Sequence, residues 1–273
     1  MKKLLIVAAM AAVPFACGTA VAAVHVMGGT FVPTPSHQLL DQIDKGYLEW
    51  VGVDEAPRAL WTPEQFSDQS YLDGEAELLA AWRDDPNGTF IGYSQSAGII
   101  GMLLNNEDVT SGNFVAFAPP NMPDSGIFTN GSGTGDWFSS ANENFPFQVN
   151  DGVTVSVYCG EYDPVCNPLP SGNMNLLASL NSMMASTYVH NLYPSLTAED
   201  FAQAVPIDYG TDGNVDFYML PNQDDILPLF QGMTWFAPDL ALEWSDLYRD
   251  QITAAYDGTA LFDTMLIIDG LGG

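Results

Sequence analysis

The stretch Gly92-Tyr93-Ser94-Gln95-Ser96-Ala97-Gly98 decides how this sequence reads. It follows an apolar run, Thr89-Phe90-Ile91, entered through the turn signal Asp85-Pro86-Asn87-Gly88, and leads into a small-residue helix beginning Ala97-Gly98-Ile99-Ile100-Gly101-Met102. Small residues at Gly92, Ser96 and Gly98 let the chain turn sharply and the helix pack close to the strand. That turn pushes the Ser94 hydroxyl outward, as in a nucleophile elbow. Ser96 stands where the G-x-S-x-G pattern ordinarily has its second glycine.

Outward from the elbow, short apolar runs alternate with helical patterns. Val24-His25-Val26-Met27 reads as a strand that ends at Gly28-Gly29-Thr30, and Leu72, Ala76, Leu79 and Ala80 share one face of a helix over Tyr71 to Trp82. Phe114 to Phe117 is a second buried strand closed by Pro119-Pro120, and a Gly-, Ser- and Asn-rich loop follows from Asn121 to about Asn144. Val153 to Tyr158 is β-branched, a helix runs from Asn175 to about Met184, Phe217 to Leu220 is another strand, and a last helix lies near Leu240 to Tyr256. Each strand is continuously apolar rather than alternating, which argues for a mainly parallel sheet with helices on both faces. The expected fold class is α/β, of the α/β-hydrolase type. Ligands of such sheets bind beyond the carboxyl ends of the strands, where Gly28-Gly29-Thr30, Ser94 and Asp163 fall.

Lys2-Lys3, an apolar run from Leu4 to Val13 and the small-x-small site Ala20-Val21-Ala22 read as a secretory signal peptide over residues 1–22, leaving residues 23–273 as a single domain outside the cytoplasm. Cys17 follows Pro14-Phe15-Ala16, a poor lead-in for lipid attachment. No later segment approaches the roughly 18 consecutive apolar residues of a membrane-spanning helix. The chain carries 34 Asp and Glu against 6 Lys and Arg, a net charge of −28. That surface repels phosphate backbones and anionic headgroups, so no nucleic-acid partner is expected. Cys159 and Cys166 are expected to form a disulfide in an oxidising compartment, a small loop gaining at most about 2.5 kcal/mol from chain restriction. With them paired, no His- or Cys-rich spacing suits a metal. Gly28-Gly29 lacks the G-x-G-x-x-G spacing of nucleotide sites, and no cofactor is expected.

A serine hydroxyl is a weak nucleophile until a base accepts its proton and a carboxylate orients that base. The chain has three histidines, and His190 alone, unlike His25 and His37, lies downstream of a strand-end carboxylate in the order Ser, Asp, His. That carboxylate is Asp163, inside Cys159-Gly160-Glu161-Tyr162-Asp163-Pro164-Val165-Cys166, with Glu161 as its competitor and Asp200, Asp208 and Asp216 as weaker ones. An oxyanion needs preorganised donors. The amide of Gln95 is one, and Thr30, with its neighbour Phe31 as alternative, supplies the second from the loop after the first strand. Phe128, Trp137, Leu227, Phe230, Trp235 and Phe236 suggest an acyl-chain pocket or cover, or ordinary core.

Taken in order, Gly28-Gly29-Thr30, Gly92 to Ala97, the Phe114 strand running to Pro119-Pro120-Asn121, Tyr162-Asp163, Asn175 to Ala178 with Leu180-Asn181, Tyr188-Val189-His190 and Leu227-Pro228-Leu229 resemble the PE-PPE domain. That is a serine α/β-hydrolase family of mycobacteria and their relatives, and the likeness spans about residues 24 to 250. The resemblance implies Ser94 as nucleophile, Asp163 as acid and His190 as base, acting on an acyl ester or lipid substrate. Family members are esterases and envelope-lipid acyltransferases. The Cys159, Asp163, Cys166 arrangement is similar to the acid-bearing disulfide of cutinases. A noncatalytic surface binding module on the same fold is the rival from another class, and it predicts a Ser94 inert to fluorophosphonates.

Overall fold

The computed structural model describes residues 22–131, 134–173, 175–211, 213–222 and 225–256. Residues 1–21 of the expected signal peptide, Cys17 among them, lie outside the described residues. Seven strands form one sheet: β1 (Val24–Val26), β2 (Pro57–Ala59), β3 (Thr89–Tyr93), β4 (Gly112–Phe117), β5 (Val153–Gly160), β6 (Val205–Ile207) and β7 (Val215–Leu220). Their order is β2-β1-β3-β4-β5-β7-β6, parallel throughout except where β6 runs antiparallel to β7. Successive residues of a strand point to opposite faces, and Thr89 to Gly92 of β3 and Phe114 to Phe117 of β4 are buried without interruption. Both faces of the central strands are therefore covered, as the unbroken apolar runs require.

The helices are α1 (His37–Ile43), which passes through a π-helical turn at Asp44–Leu48 into α2 (Glu49–Val51), then α3 (Asp68–Asp84), α4 (Gln95–Asn106), α5 (Leu176–Tyr188), α6 (Ala198–Phe201), α7 (Pro228–Gln231) and α8 (Pro238–Tyr256). Their starts are set locally. Ser36, Ser67 and Asn175 accept amides of the first turns of α1, α3 and α5, and Thr197 with Asp200 forms a capping box on α6. A main core gathers around Phe90, Phe114, Phe117, Tyr158 and Phe217. A second apolar cluster joins Tyr162, which follows β5, to Ala178 and Ala185 of α5, Phe230 of α7, and Ala241, Ile252 and Ala255 of α8. This is an α/β architecture, a mainly parallel sheet connected through helices. Among the described residues no helix is long and apolar enough to cross a membrane.

Candidate active site

Ser94 ends β3 and precedes α4 with φ 57° and ψ −115°, in the left-handed half of conformational space that a residue with a Cβ enters only under constraint. Two contacts impose it. The Ser94 amide donates to the Phe117 carbonyl at 2.8 Å, so the end of β4 holds the elbow from the side. The Ser96 hydroxyl accepts the Tyr93 amide at 2.8 Å and lies 3.2 Å from the Tyr93 carbonyl, closing the turn with its side chain. This explains the departure from a second glycine. Gly92, by contrast, has no latitude: a Cβ there would lie 2.7 Å from the Ser96 backbone.

The next partner arrives from a 3₁₀ turn, His190–Ser195, immediately after α5. The His190 Nε2 lies 2.9 Å from the Ser94 Oγ, and its Nδ1 lies 3.0 and 3.1 Å from the two carboxyl oxygens of Asp163. Asp163 is fully buried, in the loop closed by the Cys159–Cys166 disulfide. Its Oδ1 accepts the amides of Val165 at 2.7 Å and Cys166 at 3.3 Å, and its Oδ2 accepts the Tyr193 hydroxyl at 2.7 Å. That hydroxyl in turn accepts the Gly160 amide at 2.5 Å. Burial, reinforced by the neighbouring Asp163 carboxylate, pushes the Tyr193 phenol well above its ordinary range, so it stays a proton donor. Tyr93 fixes the histidine from its other end. Its hydroxyl donates to the His190 carbonyl at 2.7 Å, and its ring sits 5.3 Å from the imidazole.

The competing residues are occupied elsewhere. Glu161 accepts the Asn222 amide, Asp200 caps α6, Asp208 accepts the Gly210 amide, and Asp216 lies within β7. His25 stacks on Phe90 and pairs with Asp85, as a sheet-face histidine, and His37 begins α1.

The Gln95 amide is the first N–H of α4, one of those a helix leaves without an internal partner. Its side chain is anchored, the amide nitrogen donating to the Gln65 carbonyl and the Ser70 hydroxyl. The loop after β1 comes to the same place, since a Cβ on Gly29 would lie 2.9 Å from the Tyr93 ring and 3.3 Å from the Ser94 Cβ. Of the two amides considered there, that of Phe31 is spent on the Glu64 carbonyl at 2.6 Å. The Thr30 amide makes no such bond among the described residues.

The apolar set read as pocket, cover or ordinary core divides between these. Phe128 stacks on Phe138 against Tyr71, while Leu227 and Phe230 belong to the second core cluster, so these three are packing residues. Trp137, Trp235 and Phe236 are exposed at 78%, 86% and 69%. An apolar side chain does accompany the loop after β1: Phe31, two residues beyond Gly29 and 78% exposed.

Sequence reasoning missed Tyr193 and Tyr93. The first had a legible signal, because residues three apart on a 3₁₀ turn lie on one face, and His190-Asn191-Leu192-Tyr193 has that spacing.

Comparison with known proteins places these features in a wider group. The model of the family described as "PE-PPE domain" matches residues 55–257. An esterase of Mycobacterium tuberculosis, PE16, is 27% identical over 268 residues, covering 87% of this chain and 49% of the esterase. The PE family protein PE3 of the same organism is 31% identical over 229 residues, covering 76% of this chain and 48% of PE3. The chain thus spans about half the length of these curated relatives. A cutinase-like protein from Cryptococcus sp. superposes with a TM-score of 0.36 and 16% identity, over 53% of this chain and 78% of its own.

Proposed function

The chain belongs to the PE-PPE domain family, and on that footing we propose that it is an extracytoplasmic serine ester hydrolase, cleaving acyl or lipid esters through an acyl-enzyme. One observation carries the reading: the unbroken hydrogen-bonded chain from Ser94 Oγ through the two ring nitrogens of His190 to Asp163. The relative named as an esterase agrees with it.

With Nδ1–H donating to Asp163, Nε2 is the free base that accepts the Ser94 proton. The serine oxygen attacks the ester carbonyl carbon as that proton leaves, and the carbonyl electron pair moves onto oxygen. Amides of Gln95 and Thr30 donate to the resulting oxyanion. Collapse restores the carbonyl and expels the alcohol, protonated by the imidazolium. Water, deprotonated by the same nitrogen, then attacks the acyl-serine and releases the acid, returning the proton to Ser94. Asp163 holds the imidazole in one tautomer and offsets its transient charge without itself taking the proton.

The test is hydrolysis of p-nitrophenyl esters of graded chain length by the wild-type protein and by Ser94→Ala, with mass spectrometry of a fluorophosphonate adduct. Activity in the first protein alone, and an adduct on Ser94, is the expected result. Equal rates from both, or an unlabelled serine, would refute the proposal in favour of a noncatalytic module. Product analysis with and without an added sugar acceptor separates hydrolysis from acyl transfer.

A further inference from the structure

Between the two proposed oxyanion donors runs a short segment, Thr62 to Gln65, that the mechanism above does not use. It touches both sides. The Glu64 carbonyl accepts the Phe31 amide at 2.6 Å, and the Thr62 amide donates to Pro33 at 3.1 Å, which ties the segment to the loop carrying Thr30. One residue on, the Gln65 carbonyl accepts the Gln95 side chain, and the Gln65 amide donates to the Ser70 hydroxyl that the same side chain also meets. The backbone is constrained at both ends of the first contact, with φ 47° at Glu64 and 69° at Phe31, the left-handed region. Such conformations persist only where surroundings over-determine them.

What fixes Glu64 is its side chain. The carboxyl is fully buried, Oε1 accepts the Thr62 hydroxyl at 2.6 Å, and Oε2 has no protein partner. We propose that Glu64 is a positioning residue of the oxyanion hole: its buried carboxyl locks the Thr62 to Gln65 segment and thereby sets the spacing between the Thr30 and Gln95 amides. The proposal rests on the ester-hydrolase reading for its kinetic consequences and on geometry alone for the loop.

The carboxyl must be neutral to play this part, because an ionised carboxylate with one hydroxyl donor would not stay in a fully buried site. Burial raises its pKa from 4.5 to about 8, the Thr62 hydroxyl opposing the shift. Tyr71 of α3 is the titratable group that meets the Glu64 carboxyl, with Asp68 also acting on Tyr71, and neither is cationic. Lys45, Arg58 and Arg83 pair with Asp41, Glu55 and Glu107, and Arg249 bonds the Asp225 carbonyl.

The experiment compares wild type with Glu64→Gln, Glu64→Ala and Glu64→Gly, by hydrogen exchange of peptides covering residues 28–33 and by ester hydrolysis from pH 5 to 10. Glycine accepts the backbone angle freely, so it removes the side chain without strain. Expected are faster exchange in the Ala and Gly variants and a kcat lower by about ten- to a hundredfold with KM little changed. The isosteric Gln variant rescues both and abolishes the decline in kcat near pH 8. A Gly variant that matches wild type in exchange and kcat, or a Gln variant that keeps the alkaline decline, overturns the proposal. Should the Ala variant fail to fold, Thr62→Val removes the one bond to the carboxyl, and unchanged exchange there is equally fatal. Hydrogen exchange needs no turnover, so an inert wild type would sink the hydrolase reading and leave the exchange arms decisive for Glu64.

Discussion

Replacing Tyr193 by Phe deletes one oxygen atom that serves the Gly160 amide and the Asp163 carboxyl and also lies 3.6 Å from Cys166 Sγ. The Gly160 amide, 2.5 Å from that oxygen and buried at the end of β5, loses its acceptor, and a buried orphan donor costs about 1–3 kcal/mol. Asp163 loses a charge-assisted bond of 2.7 Å but keeps the Val165 and Cys166 amides and the imidazole, so the loss there is near about 1.5 kcal/mol. The sum is about 2.5–4.5 kcal/mol, a fall in Tm on the order of 10 °C for a domain of this size. The carboxyl also gains freedom to rotate away from His190 Nδ1. Because Tyr193 acts through Asp163 and not on the substrate, kcat should fall by about ten- to a hundredfold while KM holds. Thermal unfolding and p-nitrophenyl ester kinetics on the same preparations read both effects. A variant within about 2 °C and about twofold in kcat of wild type would show that the hydroxyl neither satisfies the amide nor steers the acid.

Asp163→Asn keeps the shape but presents the imidazole with an amide, and kcat for ester hydrolysis should drop by about 10⁴-fold at unchanged KM. Gly29→Ala places a methyl 2.9 Å from the Tyr93 ring and 3.3 Å from the Ser94 Cβ. Overpacking of about 1–3 kcal/mol should appear in chemical denaturation, with a lower kcat as the loop is pushed from the elbow. Glu64 supplies a pH prediction for stability. Its folded pKa, about 8, lies above the unfolded 4.5, so the folded state keeps a proton that the unfolded chain releases. The associated stability is complete below about pH 4.5 and is lost as pH rises to about 8. Glu64→Gln should therefore gain Tm over wild type progressively across that interval, and a constant Tm difference from pH 5 to 8 would contradict it.

The elbow was legible because several weak requirements coincide there: an apolar strand, a sharp turn of small residues, and a helix whose small side chains allow close approach. The parallel sheet was legible for a related reason, since Thr89 to Gly92 of β3, Phe114 to Phe117 of β4 and Val157 to Gly160 of β5 are buried at consecutive positions and so on both faces. The strands that escaped notice, β2 and β6, are three residues long at the sheet's two edges, where half-exposed positions impose no pattern. Asp163 and His190, which the structure brings together, were nominated through chain order and resemblance, not local signal. Which amide of the first loop is free was beyond sequence. Phe31 is excluded only by a bond to Glu64, 33 positions away, and no periodicity records such a contact. The aromatic residues stayed undecided between pocket and core because composition does not tell a packing ring from an exposed one: Phe230 fills a core and Phe236, six residues later, faces solvent.

Two fully buried carboxyls, 99 positions apart in sequence, show how environment divides labour in so acidic a chain. Asp163 is met by two backbone amides, a phenol and an imidazole, four donors that replace water around its charge without any Lys or Arg. Glu64 is met by one hydroxyl, and burial holds its proton on up to about pH 8. A carboxylate is wanted beside an imidazole that becomes positive, and a neutral group where a dry segment has only one donor to offer. Donor supply decides which is which, and it comes from neutral groups in both places. Salt should therefore leave kcat almost unchanged, because the charges that develop, on the His190 imidazole against the buried Asp163 and on the carbonyl oxygen, lie largely out of solvent where screening is weak, whereas a steep salt dependence of kcat would place an essential charge outside the residues named here.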